Sequence, residues 1–334
     1  MPARLASFRL HALPLFCSWW PTSEGRVARP FAGAARADLL QVPARAPIIG
    51  EVEFRPARTS DLANEFQVFE LAQRELRDRR GAEWRGADFA RWEAVQLHLL
   101  RHDGARSFVA EISGRVVGFT AAWVRDDVWF LSALFVLPEH QGRGLGKRLL
   151  DLAWGDGYGR RITITEAIQP VATSSYARRG LIPTTPILAF EGRPRTEEPD
   201  DLEPVPPDPG ALRLLDRQAY GFDRTVDHAW WSEAAESAMV WLDDGKPVAY
   251  SYVSSSGLIG PLVGRDEQSA ANALRAELAR HADRTVSVDL PGSSAKLAEV
   301  ALASGLRMGD PGLLLLWPPV DPPRTLAIHS YWLF

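Results

Sequence analysis

Apolar residues recur along the chain at two different spacings, and these spacings predict its helices and strands. In two stretches, residues that we expect to face the core recur every three or four positions, which is typical of helices with one buried face. These positions are Leu62, Phe66, Phe69 and Leu76 in the first stretch and Phe89, Trp92, Gln96 and Leu99 in the second. A strand at 52–55 precedes both helices. After Gly104, apolar runs predict strands over 108–112, 116–124 and 128–137, joined by turns at 113–114 and 126–127.

The pattern changes again at a glycine-rich loop over 141–146. Leu145, Leu149 and Leu152 stand at helical spacing and predict a helix that begins in this loop. A strand over 161–165, a short helix around Tyr176 and a strand over 185–190 follow. The predicted order is strand, two helices, three antiparallel strands, helix, strand, helix, strand. This is an α+β unit with a mixed sheet.

Proline and acidic residues replace the apolar pattern between 191 and 209, which predicts a linker. The chain beyond it echoes the first unit, because Gly-Lys-Pro-Val-Ala-Tyr-Ser at 245–251 resembles Gly-Arg-Val-Val-Gly-Phe-Thr at 114–120, and 303–306 resembles 178–181. Echoes in the same order indicate a duplicated unit. We predict a poorly ordered leader at 1–50, a first domain at 51–192, a linker at 193–209 and a second domain at 210–334. Residues 313–317 and 325–333 are its predicted closing strands.

Composition narrows the classes of function. A formal net charge of −4 gives no basic excess of the kind that binds nucleic acid, and no apolar run approaches the roughly 20 residues that span a bilayer. Cys17 is the single cysteine, which excludes an internal disulfide and a cysteine-rich metal site. We therefore expect a cytoplasmic protein without nucleic-acid or membrane partners. Five arginines and one acid between 1 and 36 leave a transit peptide open as the alternative for the leader.

The glycine-rich loop is the segment with the clearest chemistry. A buried strand ends at Pro138, and Gly142, Gly144 and Gly146 stand where the chain turns into a helix. Glycine lets backbone N–H groups approach a ligand, and a helix N-terminus favours an anion, so the loop suits a phosphate or pyrophosphate. Arg143 and Lys147 could add direct charge. The loop is not a P-loop, because the residue after Gly-Lys is arginine, and its Gly-x-Gly-x-Gly spacing differs from a dinucleotide fingerprint.

The loop does match the signature [Gln/Arg]-x-x-Gly-x-[Gly/Ala], with Gln141, Gly144 and Gly146 in the defining positions. The block over 169–181 is similar to the downstream Asn…Tyr-x-x-x-Gly-Phe motif of the same family. On these residues and the element order, the chain resembles the GNAT superfamily of N-acetyltransferases over 52–190. The resemblance implies two tandem acetyltransferase-like domains, each a mostly antiparallel mixed sheet flanked by helices. It also implies acetyl-CoA as the acyl donor, with no metal.

The resemblance implies a role for each matched residue. The backbone of Leu134, Phe135 and Val136 would bind the pantetheine arm. The pyrophosphate would be held by amides of the loop, which comprises Gln141, Gly142, Arg143, Gly144, Leu145 and Gly146, with Lys147 beside it. Ser174 or Ser175 could support the cofactor, and Tyr176 would protonate the leaving thiolate, because a phenol is protonated at neutral pH. The alternative for Tyr176 is an aromatic residue that packs the short helix on the sheet.

Several positions depart from the family pattern. Gln169 replaces the usual asparagine, Leu181 replaces phenylalanine, and Ser132 stands in the strand position where many relatives carry a glutamate base. The acceptor amine must still lose a proton. Glu166 is a candidate base, and Glu139 and His140 are the alternatives. The second copy has no Gly-x-Gly at 260–266, so it resembles the degenerate domain of tandem family members, expected to lack coenzyme A.

The acceptor is expected to be a primary amine of a small molecule or a peptide. In this fold the first two helices usually set acceptor specificity, and here they carry Phe66, Phe69, Glu70, Trp84, Phe89 and Trp92. An aromatic pocket with an acid could hold an amine by cation–π attraction, although the same spacing fits core packing. Trp230 and Trp231 could belong to a cleft between the domains. A non-catalytic acyl-CoA-binding or sensing protein is the alternative function, and a homodimer is left open.

Overall fold

The computed structural model describes residues 51–195 and 202–334, so the predicted leader at 1–50 lies outside the described residues. The first copy contains every predicted element, in the predicted order. These elements are β1 (Val52–Pro56), α1 (Leu62–Asp78), α2 (Phe89–Asp103), β2 (Phe108–Ile112), β3 (Arg115–Arg125), β4 (Val128–Val136), α3 (Leu145–Trp154), β5 (Arg160–Glu166), α4 (Pro170–Ala177) and β6 (Ile182–Gly192). Strands β1 to β4 pair antiparallel in sequence order, and β4 pairs with β5 in parallel.

Local signals explain where these elements begin and turn. The side chain of Asp88 accepts a hydrogen bond from the Arg91 amide and caps α2. Ser113 and Gly114, at φ 51° and 80°, form the two-residue turn between β2 and β3. The second copy repeats this turn at Asp244 and Gly245, with φ values of 49° and 70°. The echo between 114–120 and 245–251 therefore reflects the same hairpin.

The second copy repeats the order of the first. Its elements are β7 (Glu203–Val205), α5 (Pro209–Ala219), α6 (Thr225–Ala234), β8 (Ser237–Asp243), β9 (Lys246–Val253), β10 (Ile259–Gly264), α7 (Glu267–Arg280), β11 (Val286–Pro291), α8 (Ala295–Ala303), β12 (Arg307–Met308), β13 (Gly312–Trp317) and β14 (Leu326–Ala327). Strand β7 lies inside the predicted linker 193–209 and pairs with β8, so the second copy begins before residue 210. Residues 196–201 of that linker are not among the described residues.

The two copies exchange strands. Strand β13, predicted to close the second copy, lies between β5 and β6 of the first copy, where Leu314 is opposite both Ile164 and Thr185. The far half of β6 pairs in turn with β11, where Phe190 is opposite Val288. The prediction that 313–317 closes the sheet of the second copy is therefore wrong, because β13 forms its hydrogen bonds on both edges with strands of the first copy. One sheet of nine strands runs through both copies, which form a single compact unit.

A buried polar network also joins the copies. The guanidinium of Arg125 in β3 donates to Asp103 at the end of α2 (2.9 Å) and to Asp227 in α6 of the second copy (2.7 and 3.0 Å). Nε2 of His98 lies 2.8 Å from the same Asp227 carboxylate. All four side chains are buried. Because buried charges require partners, each copy completes the hydrogen bonding of the other.

The last residues of the chain return to both copies. We predicted a strand over 325–333, but only Leu326–Ala327 forms one, paired with β10. The remaining residues, 328–334, run on as an irregular segment and reach the core of the first copy, where Leu333 and Phe334 are buried. Among the helices of the described ranges, none is long and apolar enough to cross a membrane.

Candidate active site

A cleft opens where β4 and β5 separate. The two strands pair from Val128↔Arg160 to Leu131↔Thr163, and beyond this point β4 continues to pair with β3 alone. The register between β3 and β4 shifts at Ser132, which has no partner in β3 and marks a bulge. The outer edge of β4 beyond the bulge, which includes Leu134, Phe135 and Val136, therefore faces the cleft with its backbone.

The glycine loop lies at the end of this cleft. Gly142 and Gly144 have φ values of 72° and 85°, which glycine adopts without strain, and Gly144 is the N-cap of α3. The Gln141 side chain donates to the Val136 carbonyl (3.0 Å) and holds the loop against the strand. Within the described chain, the amides of residues 142–147 donate no hydrogen bond. Amides without an acceptor at a helix N-terminus are typical of an anion-binding site.

The two basic residues of the loop are placed differently. The Lys147 ammonium is exposed and lies 3.4 Å from Asp151 of the next helical turn, a carboxylate that Arg179 also contacts. The Nε group of Arg143 is buried and lacks a hydrogen-bond partner in the described part of the chain. Nδ1 of His140 is likewise buried without a partner there, and burial lowers the pKa of this imidazole. Lys147 therefore has an acidic neighbour, whereas the buried Nε of Arg143 has no acceptor within the described residues.

The cleft leads into a cavity of about 440 Å³, a size within the roughly 300–1,000 Å³ of small-molecule sites. The predicted residues that line it are Leu134, Phe135, Val136, Gln141, Glu166 and Tyr176. Burial raises the pKa of Tyr176, so its phenol stays protonated at neutral pH. Ser175 is not among the lining residues, and its Oγ donates to the Val171 carbonyl within α4 (2.8 Å). In the described ranges, no cluster of three or more His, Cys, Asp and Glu side chains is arranged to bind a metal.

Glu166, the predicted candidate base, reaches the cavity but is already paired. Its carboxylate accepts from Nη2 of Arg77 (2.5 Å) and from Nε2 of Gln73 (3.3 Å), both in α1. Arg77 also pairs with the exposed Asp310 (3.0 Å). Both oxygens of the Glu166 carboxylate are therefore already engaged by side chains of α1. Glu139 and His140 lie at the 3-10 turn before the loop, outside the lining of the cavity.

Most of the aromatic residues predicted for the acceptor site belong to the core. Phe66 and Trp92 pack on one another, with ring centroids 5.4 Å apart, and neither lines the cavity. The Glu70 carboxylate accepts from Trp84 Nε1 (3.0 Å) and from the Ala87 amide, so it fixes the segment between α1 and α2. Trp230 and Trp231 also lie outside the cavity lining. Of the predicted aromatic residues of α1 and α2, Phe69 alone lines the cavity.

Two segments that sequence reasoning missed complete the cavity. Strand β11 of the second copy contributes Ser287 and Asp289, and the chain's last residues contribute His329, Ser330, Tyr331 and Trp332. The carbonyl of Trp332 accepts from the Ser132 hydroxyl (2.8 Å), and its ring packs against Phe69 with centroids 5.4 Å apart. The alternation in Val-Ser-Val-Asp-Leu signals a polar face on β11, but only the strand exchange brings that face to this cavity.

Comparison with known proteins shows the family of this chain. A model described as Acetyltransferase (GNAT) family matches residues 66–181, and one described as Acetyltransferase (GNAT) domain matches residues 212–310. An uncharacterized N-acetyltransferase of Archaeoglobus fulgidus is 33% identical, over 30% of this chain and 71% of its own length. The chain belongs to the GNAT family.

Solved structures show the same fold as this GNAT chain. A Pyrococcus horikoshii protein described as a candidate acetyltransferase aligns with a TM-score of 0.69 and 14% identity, over 88% of this chain and all of its own length. A tandem GNAT protein from the clavulanic acid biosynthesis pathway aligns with a TM-score of 0.53 and 18% identity, over 81% of this chain and all of its own. The chain is thus a tandem GNAT protein, with mixed sheets flanked by helices.

In the second GNAT copy two neighbouring strands also separate, but the last residues of the chain occupy the space between them. Strands β10 and β11 make a parallel bridge at Leu258↔Ser287 and then separate. The end of the chain enters between them, where Ala327 is opposite Leu262 and the Ile328 amide donates to the Asp289 carbonyl (2.9 Å). A Cβ atom at Gly260 would collide with the Ile328 carbonyl, so this close approach requires glycine. The groove that is open in the first copy is therefore closed in the second.

Proposed function

We propose that this chain is a cytoplasmic acetyl-CoA-dependent N-acetyltransferase, which transfers an acetyl group to a primary amine of a small molecule or peptide by direct attack on the thioester. One observation carries the proposal: the amides of residues 142–147, which have no acceptor among the described residues, lie at the N-terminus of α3, at the end of a strand whose outer edge is open. This arrangement suits a pyrophosphate followed by an extended arm with amide groups.

Each part of the substrate would meet a specific part of the chain. The backbone of Leu134, Phe135 and Val136 would pair with the pantetheine arm, and the amides of the loop would hold the pyrophosphate. Tyr176 lines the same cavity as this strand edge, and burial keeps its phenol protonated. It would give that proton to the sulfur as the thiol leaves. The acceptor would occupy the part of the cavity that the arm leaves open, as a small molecule or as one residue of a peptide.

A calorimetric titration with acetyl-CoA tests the site. Gly144→Glu places a carboxylate where the phosphate is expected, and we expect it to abolish saturable one-to-one binding. Because Gly144 has a positive φ, any side chain there also strains the backbone. Gly245→Glu is the matched control, since Gly245 has a φ of 70° in the second copy and open space around its Cβ position. Equal affinity of the Gly144→Glu and Gly245→Glu proteins for acetyl-CoA would disprove the site.

A second candidate function is an acyl-CoA-binding or sensing protein without catalysis. It is favoured by the serine at position 132, whose hydroxyl is bonded to Trp332, and by the pairing of Glu166 with Arg77. The two functions differ in turnover. Thiol release from acetyl-CoA, followed with a panel of primary amines and with mass spectrometry of the products, separates them. Tight binding with no acetylated amine would favour the sensor.

A further inference from the structure

The second copy places an acid in the first copy's cavity. Along β11, Val286, Val288 and Leu290 point into the apolar core of the second copy. Ser287 and Asp289 alternate with them and therefore point to the opposite face, where they line the cavity. Asp289 thus faces the same space as Tyr176 of the first copy.

The carboxylate of Asp289 has no partner in the described part of the chain. No hydrogen bond or ion pair to it exists there, whereas the other carboxylate of the cavity, Glu166, is paired with Arg77. An acid without a partner in a partly buried position costs stability, and β-strands disfavour aspartate. Because Asp289 lines the cavity, a ligand held there could supply the donor that its carboxylate lacks in the described part of the chain.

Its surroundings suit the uptake of a proton. Burial raises the pKa of Asp289 to about 6, although the charge of Arg91 opposes this rise. The carboxyl is therefore ionised at neutral pH and can still accept a proton. The other titratable groups that line the cavity are Arg91 in α2, Glu166 in β5, Tyr176 in α4, and His329 and Tyr331 in the last segment. Burial, with the charge of Arg91, lowers the pKa of His329 to about 3, and burial raises that of both tyrosines, so these three remain neutral.

We propose that Asp289, supplied by the second copy, binds the ammonium group of the acceptor and removes its proton. This inference rests on the proposed function and adds the base that the first copy lacks at Ser132. It also gives the second copy a direct part in the reaction, since β11, which carries Asp289, belongs to that copy and pairs with β6 of the first.

The proposed step balances in protons and bonds. The acceptor's ammonium gives one proton to the Asp289 carboxylate, and the neutral nitrogen then attacks the carbonyl carbon of the thioester. The C–N bond forms as the C–S bond breaks. The phenol of Tyr176 gives its proton to the sulfur and takes one from the nitrogen, and Asp289 later releases its proton to solvent. One amide, one thiol and one proton result.

Acetylation kinetics with Asp289→Asn test this role. The acceptors are methylamine, benzylamine, tryptamine, spermidine, glucosamine and lysine amide. We expect the variant to lose on the order of 10²-fold or more in kcat/KM, with unchanged affinity for acetyl-CoA. The wild-type rate should fall below a pH of about 6, and the variant should not show this fall. Asp283→Asn is the control, because Asp283 is exposed in the turn before β11. Equal rates and equal pH profiles in the two variants would overturn the role of Asp289.

A binding measurement separates this inference from the proposed function. In protein labelled with ¹³C at the aspartate carboxyl carbons, the Asp289 signal is identified by its loss in Asp289→Asn. We expect methylammonium to shift this signal saturably, whereas sodium at equal ionic strength does not. A shift without acetylation of any amine in the panel would count against the proposed function and support the ammonium site. Acetylation without a shift, and without an effect of Asp289→Asn, would retain the proposed function and overturn the site.

Discussion

The substitution Asp227→Asn tests how the two copies hold together. The Asp227 carboxylate accepts two hydrogen bonds from Arg125 (2.7 and 3.0 Å) and lies 2.8 Å from Nε2 of His98. Asparagine has nearly the same volume as aspartate but no charge. Its NH₂ group would face the N–H donors of Arg125 or the ring of His98. Arg125 would keep Asp103 as its remaining acid.

The expected loss in the free energy of unfolding follows from the burial of the Arg125–Asp227 ion pair. Removing one partner of a buried ion pair costs about 3–5 kcal/mol, and the retained Asp103 places the loss near the lower limit, about 3 kcal/mol. For a chain of this size, each kcal/mol lowers the melting temperature by roughly 2–4 °C. We therefore expect a decrease of about 6–12 °C in calorimetry. The control is Asp310→Asn, which also removes an ion pair between the copies, but whose carboxylate is 67% exposed. It should cost less than about 1 kcal/mol.

The effect of pH gives the same prediction a second test. Burial favours the protonated form of Asp227, but the hydrogen bonds from His98 and Arg125 outweigh this and hold its pKa well below the ordinary value. Its stabilisation is therefore fully present above the unfolded pKa of about 3.9 and is lost as the pH falls below it. The stability gap between wild type and Asp227→Asn should narrow in acid. A gap at neutral pH no larger than that of Asp310→Asn would refute the reasoning.

Two further substitutions give distinct results. Tyr176→Phe should leave the dissociation constant of acetyl-CoA unchanged and lower turnover on the order of 10²-fold; full activity would remove the phenol from the mechanism. Burial raises the pKa of Glu65 to about 8. Since the unfolded pKa is about 4.3, wild-type stability should fall as the pH rises between these values. Glu65→Gln should abolish that part of the pH dependence in urea unfolding, and an unchanged slope would contradict the burial of a neutral Glu65.

The strand exchange gives the second copy a structural role although its own groove is closed. Strand β13 pairs with both β5 and β6 of the first copy, and the far half of β6 pairs with β11 of the second copy. Without the second copy, the edges of β5 and β6 that pair with β13 would lack hydrogen-bond partners. Unpaired backbone groups of this kind destabilise a buried sheet. We therefore expect the two copies to unfold as one unit.

The sequence by itself determined the local structure and the loop. Apolar spacing was enough for the helices α1 to α3 and the strands β1 to β6, because periodicity reports which side chains face a core. Gly142 and Gly144 do adopt the positive φ that a tight turn into α3 requires, and Gln141 holds the loop to β4. These features depend on residues close together in the chain, so a sequence pattern can express them.

The tertiary structure alone decided which residues meet in the cavity. The pattern at 313–317 indicates a strand but not its neighbours, since backbone hydrogen-bonding groups are the same in every strand. Asp289 is an ordinary polar position in β11 until β11 pairs with β6, and Trp332 belongs to a segment with no regular structure. Likewise, Glu166 reads as a free base until Arg77 of α1 is placed beside it. Contacts between distant residues form when strands choose partners, and no local spacing encodes that choice.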